Sequence, residues 1–128
     1  MKAITAEWVA KAEEDFLAAV DLSRRRKVQL HDSVCFHCQQ CAEKYLKARL
    51  QEAGAPIPKT HDLEALLKLV VTIEPLWSSL QTALQELTDF AVNFRYPGQA
   101  ATHADATEAL RNCRAVRKEA RATLGLKV

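Results

Sequence analysis

Side chains able to do chemistry gather in two stretches of the chain. The first runs from Asp32 to Ala53, DSVCFHCQQCAEKYLKARLQEA. Read as a helix at about 100° per residue, it places His37, Gln40, Lys44, Lys47 and Gln51 on one narrow polar face. Such an edge of amide, imidazole and ammonium groups suits a phosphate-bearing ligand or a partner chain, and it equally suits the wet side of a bundle helix; spacing alone selects neither. The second stretch is Arg95-Tyr96-Pro97-Gly98. Arg95 either pairs with the last carbonyls of a helix or meets an anion, and Tyr96 beside it supplies a ring on which a nucleotide base can stack. His61 is either the neighbour of a helix cap or a member of a polar cleft with Lys44 and Arg95. The candidate ligand-binding set is therefore Gln40, Lys44, Lys47, His61, Arg95 and Tyr96, converging on a crevice near the Arg-Tyr-Pro bend.

Cys35, Cys38 and Cys41, with His37 among them, look rich in metal ligands. A tetrahedral site needs converging donors, whereas cysteines at every third helical position drift around the circumference, and Cys113 stands alone elsewhere. We read the run as small core residues holding reduced thiols, with no metal and no cofactor. A basic stripe of Arg111, Arg114, Lys118 and Arg121 spans about 80° of the last helix beside its apolar seam. It either snorkels over that seam or attracts RNA phosphates or an acidic partner face.

The elements that must position these groups are all helical. The chain has 128 residues, 48% of them hydrophobic and 27% charged, with only 3 Gly and 4 Pro. That is enough for one domain with a modest core, residues 1–128, built from helix-favouring residues. The net charge of +2 is too small to imply nucleic-acid binding by itself. No leader-like or membrane-crossing segment is expected, which places the chain in the cytoplasm. The first helix is expected from Thr5, as its N-cap, to Leu22 or Ser23, followed by the cations Arg24 to Lys27, a solvated helix end. Asp32 or Ser33 caps the second, central helix, which stops at Gly54. Thr60 or Asp62 caps a third, carrying Leu63, Leu66, Leu67 and Val70. Leu76, Leu80, Leu84, Leu87, Ala91 and Phe94 mark the core face of a fourth, with Pro75 in its first turn. The fifth spans about Thr102 to Leu124.

Cys38-Gln39-Gln40-Cys41-Ala42-Glu43-Lys44-Tyr45-Leu46-Lys47-Ala48, then Lys59-Thr60-His61-Asp62-Leu63, then Phe94-Arg95-Tyr96-Pro97, in this order and spacing, resemble the HEPN domain family over nearly the whole chain. The resemblance implies an all-α, five-helix antiparallel up-and-down bundle that forms homodimers, here with the two-fold near the second and the fourth or fifth helices. It also implies a minimal nucleotidyltransferase as partner in a toxin and antitoxin pair, and a ligand that is a nucleotide or RNA.

The family's ribonucleases share an arginine followed after four to six residues by a histidine. Here seven residues separate Arg95 from His103, the pair that the resemblance offers as catalytic. Cleaving RNA through its own 2′-hydroxyl needs a base for that proton and a cation for the developing phosphate charge, roles that histidine and arginine suit. His103 is otherwise a polar residue in the first turn of a helix. Arg25 or Arg26 with His31 fits the family spacing but falls between the first two helices, and we read that match as chance. Three functions are thus expected in order: a nucleotide- or RNA-interacting module paired with a nucleotidyltransferase, a metal-independent ribonuclease toxin using Arg95 and His103, and a scaffold without a ligand.

Overall fold

The computed structural model describes all residues, 1–128, and contains no strand. Five helices form: α1 (Ala3–Ser23), α2 (His31–Glu52), α3 (Leu63–Val71), α4 (Gln81–Asn93) and α5 (His103–Thr123), with a 3₁₀ segment (Pro75–Leu80) leading into α4. None of them is long and apolar enough to cross a membrane.

Helix α2 is the axis of the bundle, and α1, α3, α4 and α5 all pack on it. Its composition explains this position. Cys35, Cys38, Cys41, Ala42 and Ala48 are fully buried and small, and the helices packed on them bury small residues as well, Ala12 and Ala19 on α1 and Ala109, Cys113 and Ala120 on α5. Close approach of backbones follows, and the larger Tyr45, Leu46 and Leu50 fill the remaining space. The 27 buried apolar residues make one continuous cluster.

Several ends form as the sequence predicts. Asp62 caps α3, accepting from the amides of Glu64 at 3.0 Å and Ala65 at 3.2 Å. Thr102 caps α5 in a reciprocal box with Asp105: the Asp105 amide donates to the threonine hydroxyl at 3.1 Å and the Thr102 amide to the carboxylate at 2.9 Å. Past α2, Gly54 adopts a φ of 71° while the Ala55 amide reaches back to the Leu50 carbonyl at 3.0 Å, a left-handed stop that favours glycine.

Three expectations change. Thr5 is not a cap: α1 already starts at Ala3, Thr5 is buried, and the Lys2 amide is held by Glu52 Oε1 at 3.0 Å. Neither Asp32 nor Ser33 caps α2, which begins at His31; the Asp32 carboxylate instead accepts the amide of Ala101 at 2.7 Å. Leu76 does not face the core but is 80% exposed, and Trp77 is fully buried in its place, its indole N–H donating to Thr123 Oγ1 at 3.2 Å. The tighter 3₁₀ winding after Pro75 rotates the register there by a different amount per residue than an α-helix would.

Because α1, α2, α4 and α5 alternate in direction, the C-termini of α1 and α4 and the N-termini of α2 and α5 meet at one end. We call this the upper end. The Asp32 to Ala101 bond stitches it together.

Candidate functional site

Arg95 and Tyr96 follow directly on the end of α4 at the upper end, and both are exposed. Their backbone is fixed from below by Phe94, which packs against the core and lies nearly parallel to Phe90, with ring centroids 5.9 Å apart. Pro97 disfavours helical angles at Tyr96 and ends the helix. Arg95, Tyr96, Gly98 and Asp32 border a shallow hollow of about 460 Å³, and Arg95 also borders a smaller one of about 250 Å³ between α2 and α4, walled by Phe36, Phe90 and Phe94. None of the eight ion pairs of the chain engages Arg95.

His103, the first residue of α5, is exposed at the same end. Its ring meets that of His31, the first residue of α2, edge-on at a centroid distance of 5.7 Å. The structure therefore gives His31 a place that its position in the sequence did not. An Asp32 carboxylate, a guanidinium, a phenol and two imidazoles thus occupy one end of the bundle, drawn from α2, the end of α4 and the start of α5.

The remaining members of the expected set lie elsewhere. Lys44 and Lys47 are twelve and fifteen residues along α2 from Asp32, hence about 18 and 22 Å down its axis. Within one subunit they share no crevice with the Arg-Tyr-Pro bend. Nor is the polar face of α2 an open, wet edge. Asp15 of α1, itself buried, accepts from Lys44 Nζ and bonds His37 Nδ1 at 2.8 Å. Lys47 is 7% exposed, with its ammonium 3.1 Å from Glu43 and 5.8 Å from the centre of the Trp8 ring. Glu43, also buried, holds His61 Nδ1 at 2.9 Å, while Gln39 donates to the His61 carbonyl at 3.1 Å and Gln40 donates to Gln39 at 2.8 Å. Helix α1 and the turn before α3 cover this face, so its cations already have internal partners.

A second polar knot lies between α1 and α5. Glu13 receives Arg117 Nε at 2.8 Å and Nη2 at 2.7 Å, and also the Tyr45 hydroxyl. Burial pushes the Glu13 carboxyl up, but these hydrogen bonds and the guanidinium charges outweigh it and hold the group below its usual range. Burial, with the acceptor Glu13 beside it, pushes the Tyr45 phenol up. Of the basic stripe, Arg121 donates to Tyr45 Oη at 3.2 Å and to the Lys127 carbonyl at 2.5 Å, and Arg111 pairs with Glu108 at 3.1 Å. Arg114 and Lys118 are exposed.

The four cysteines are buried and unbridged. Burial pushes the Cys35 thiol up to about 12, and hydrogen bonding with Cys113 together with burial raises Cys38 and Cys41. No group of three or more His, Cys, Asp or Glu side chains is placed to hold a metal ion.

Compared with known proteins, residues 5–122 match the family model described as the HEPN domain. No curated protein and no solved structure matches the chain significantly.

Proposed function

Because this chain belongs to the HEPN domain family, we propose that it is a nucleotide- or RNA-interacting helical module. It acts as a homodimer beside a minimal nucleotidyltransferase in a toxin and antitoxin pair, and it meets its ligand at the upper end through Arg95 and Tyr96. The observation that carries this reading is the exposure of Arg95, free of any ion pair, next to a phenol ring that is 69% exposed. A guanidinium for phosphate and a ring for a base are what a nucleotide needs. Lys44, Lys47 and His61, held by Asp15 and Glu43, act in this reading as the support of α2 and the α3 turn. The test is a titration with ATP and with single-stranded RNA at two salt concentrations. Saturable binding that Arg95→Ala weakens supports the proposal. A flat response in every titration leaves the chain a scaffold.

Dimerisation fits an apolar face beside the same hollow. Phe36 is 47% exposed, and it walls the smaller hollow with the half-buried Phe90 and Phe94. A two-fold axis through this face of α2 and α4 brings two copies of Arg95 and His103 to one side of the assembly. Phe36→Glu, followed by sedimentation, should give monomers. The nucleotidyltransferase partner is tested by its reading frame beside this gene and by co-purification.

A ribonuclease reading is favoured by one observation, the contact of His31 with His103 near Arg95. Two imidazoles at one end supply a proton acceptor and a proton donor. RNA incubated with the protein and with the Arg95→Ala and His103→Ala variants decides it, since equal cleavage by all three excludes these residues.

A further inference from the structure

The connection from α1 to α2 carries Arg24, Arg25, Arg26 and Lys27, all exposed and none in an ion pair. We infer that this turn is a track for the phosphate backbone of a single-stranded RNA whose bases are received at the Arg95 and Tyr96 hollow. The inference rests on the reading of that hollow as the ligand site.

Helix-end electrostatics accounts for Arg24 and Arg25 but not for the whole run. Arg24 is the C-cap of α1, with its amide on the Asp21 carbonyl at 3.2 Å while the Arg25 amide takes the Leu22 carbonyl at 3.3 Å, and no basic residue lies in the last turn. The macrodipole is felt within about that turn, so Arg26 and Lys27 lie beyond its reach. Asp21 and Asp32 carry charge nearby, but neither forms an ion pair with any of the four cations.

The turn is also tied in space to the proposed site. Leu30 is half-buried and leads directly into His31, which touches His103, while Asp32 borders the hollow of Arg95. Lys27 lies four and Arg24 seven residues before His31, so even a fully extended chain keeps them within about 14 and 25 Å of it. The cations therefore form a short approach to the hollow and not a remote patch. Single-strand binders join a cationic groove for the backbone to rings on which bases stack. Both parts are present here, with Tyr96 and the two imidazoles at one end of the run. That pairing favours RNA over an anionic lipid surface, for which the turn offers one exposed apolar side chain, Val28.

The test is polarisation of a short, labelled, mixed-sequence single-stranded RNA across a salt series, with phosphatidylserine vesicles as a second probe. The variants are Arg24→Gln with Arg25→Gln and Arg26→Gln, Arg95→Ala, and Lys68→Gln on α3 as a control. Each phosphate contact to a single strand contributes about 0.7 to the salt slope, so the triple variant should lower the slope by roughly 2 and weaken binding at least tenfold at low salt. Lys68→Gln should bind as the parent does. If Arg95→Ala weakens binding while the triple variant keeps the parental slope, the track is refuted and the hollow stands. If the parent protein does not bind RNA, the track is refuted, and the hollow falls with it only if ATP is not bound either. If the triple variant loses vesicle binding alone, the turn is a lipid contact and the inference is wrong.

Discussion

Replacing Glu43 by glutamine should cost about 3–5 kcal/mol, the range for breaking a buried ion pair by removing one partner. The substitution keeps shape and hydrogen-bonding capacity toward His61 and Gln39 but deletes the charge that faces Lys47 at 3.1 Å. With its side chain 8% exposed, the Lys47 ammonium has little water to turn to. The Trp8 ring at 5.8 Å offers about 2 kcal/mol at most, which does not offset the loss. For a chain of this size each kcal/mol moves the melting temperature by roughly 3–5 °C, so a fall of about 10–20 °C is expected. Urea unfolding followed by circular dichroism gives the free energy and scanning calorimetry the temperature. Adding Lys47→Met should recover roughly 2 kcal/mol, because an apolar chain of similar volume removes the stranded charge. A loss under about 1 kcal/mol for Glu43→Gln, or a double variant as unstable as the sum of the singles, would refute the reasoning. Lys47 would then be reachable by solvent and free to serve a ligand.

Glu13→Gln should lower stability at neutral pH through loss of the Arg117 fork. Since the folded carboxyl titrates below its unfolded value, the stability it contributes is present above the ordinary carboxylate range and disappears as pH falls through the folded value. The gap in melting temperature between parent and variant should therefore close in acid, and a gap unchanged with pH counts against the assignment. Thr102→Ala removes the α5 cap and should cost about 1 kcal/mol in urea unfolding. Finally, the buried thiols should resist alkylation by iodoacetamide at mildly alkaline pH and react fully once the chain is denatured. Rapid labelling of the folded protein would mean that α2 opens easily.

The fold was legible where one face of a helix decides its packing. Leu63, Leu66, Leu67 and Val70 are all buried as their spacing requires, and Asp62 and Thr102 start helices where short polar side chains precede apolar periodicity. The polar face of α2 was misjudged for a physical reason: periodicity shows which side chains share a face and is silent on what lies over it. A signal for the cover did exist on α1. Asp15 falls between Ala12 and Ala19 on the buried side, and a carboxylate within an apolar stripe calls for a cation opposite. Leu76 failed because one period was carried across Pro75 into a 3₁₀ segment, although Trp77, Leu80, Leu84 and Leu87 already show the spacing that is observed. The contact of His31 with His103 had no local signal, since only the parallel course of α2 and α5, which starts both helices at the same end, creates it.

Burial sorts the cations of this molecule into two groups. A charge removed from water must be matched, and Lys44, Lys47, Arg49 and Arg117 all sit at internal surfaces opposite Asp15, Glu43, Glu74 and Glu13. Helix starts at the upper end ordinarily attract carboxylates, and Asp32 and Asp105 occupy them, but each is turned toward a backbone amide of the segment before α5. Arg95 and the Arg24 to Lys27 turn thus remain exposed and in no ion pair around imidazoles and a phenol. The same pairing that makes the body of the bundle cohere leaves five unpaired cations at this end, with others such as Lys68, Arg114 and Lys118 scattered elsewhere. An anion arriving there displaces water and counterions only, whereas one arriving at Lys47 must first break a buried pair. Ligand affinity at the upper end should accordingly follow ionic strength, and a site at Lys47 should follow the stability of α2 instead.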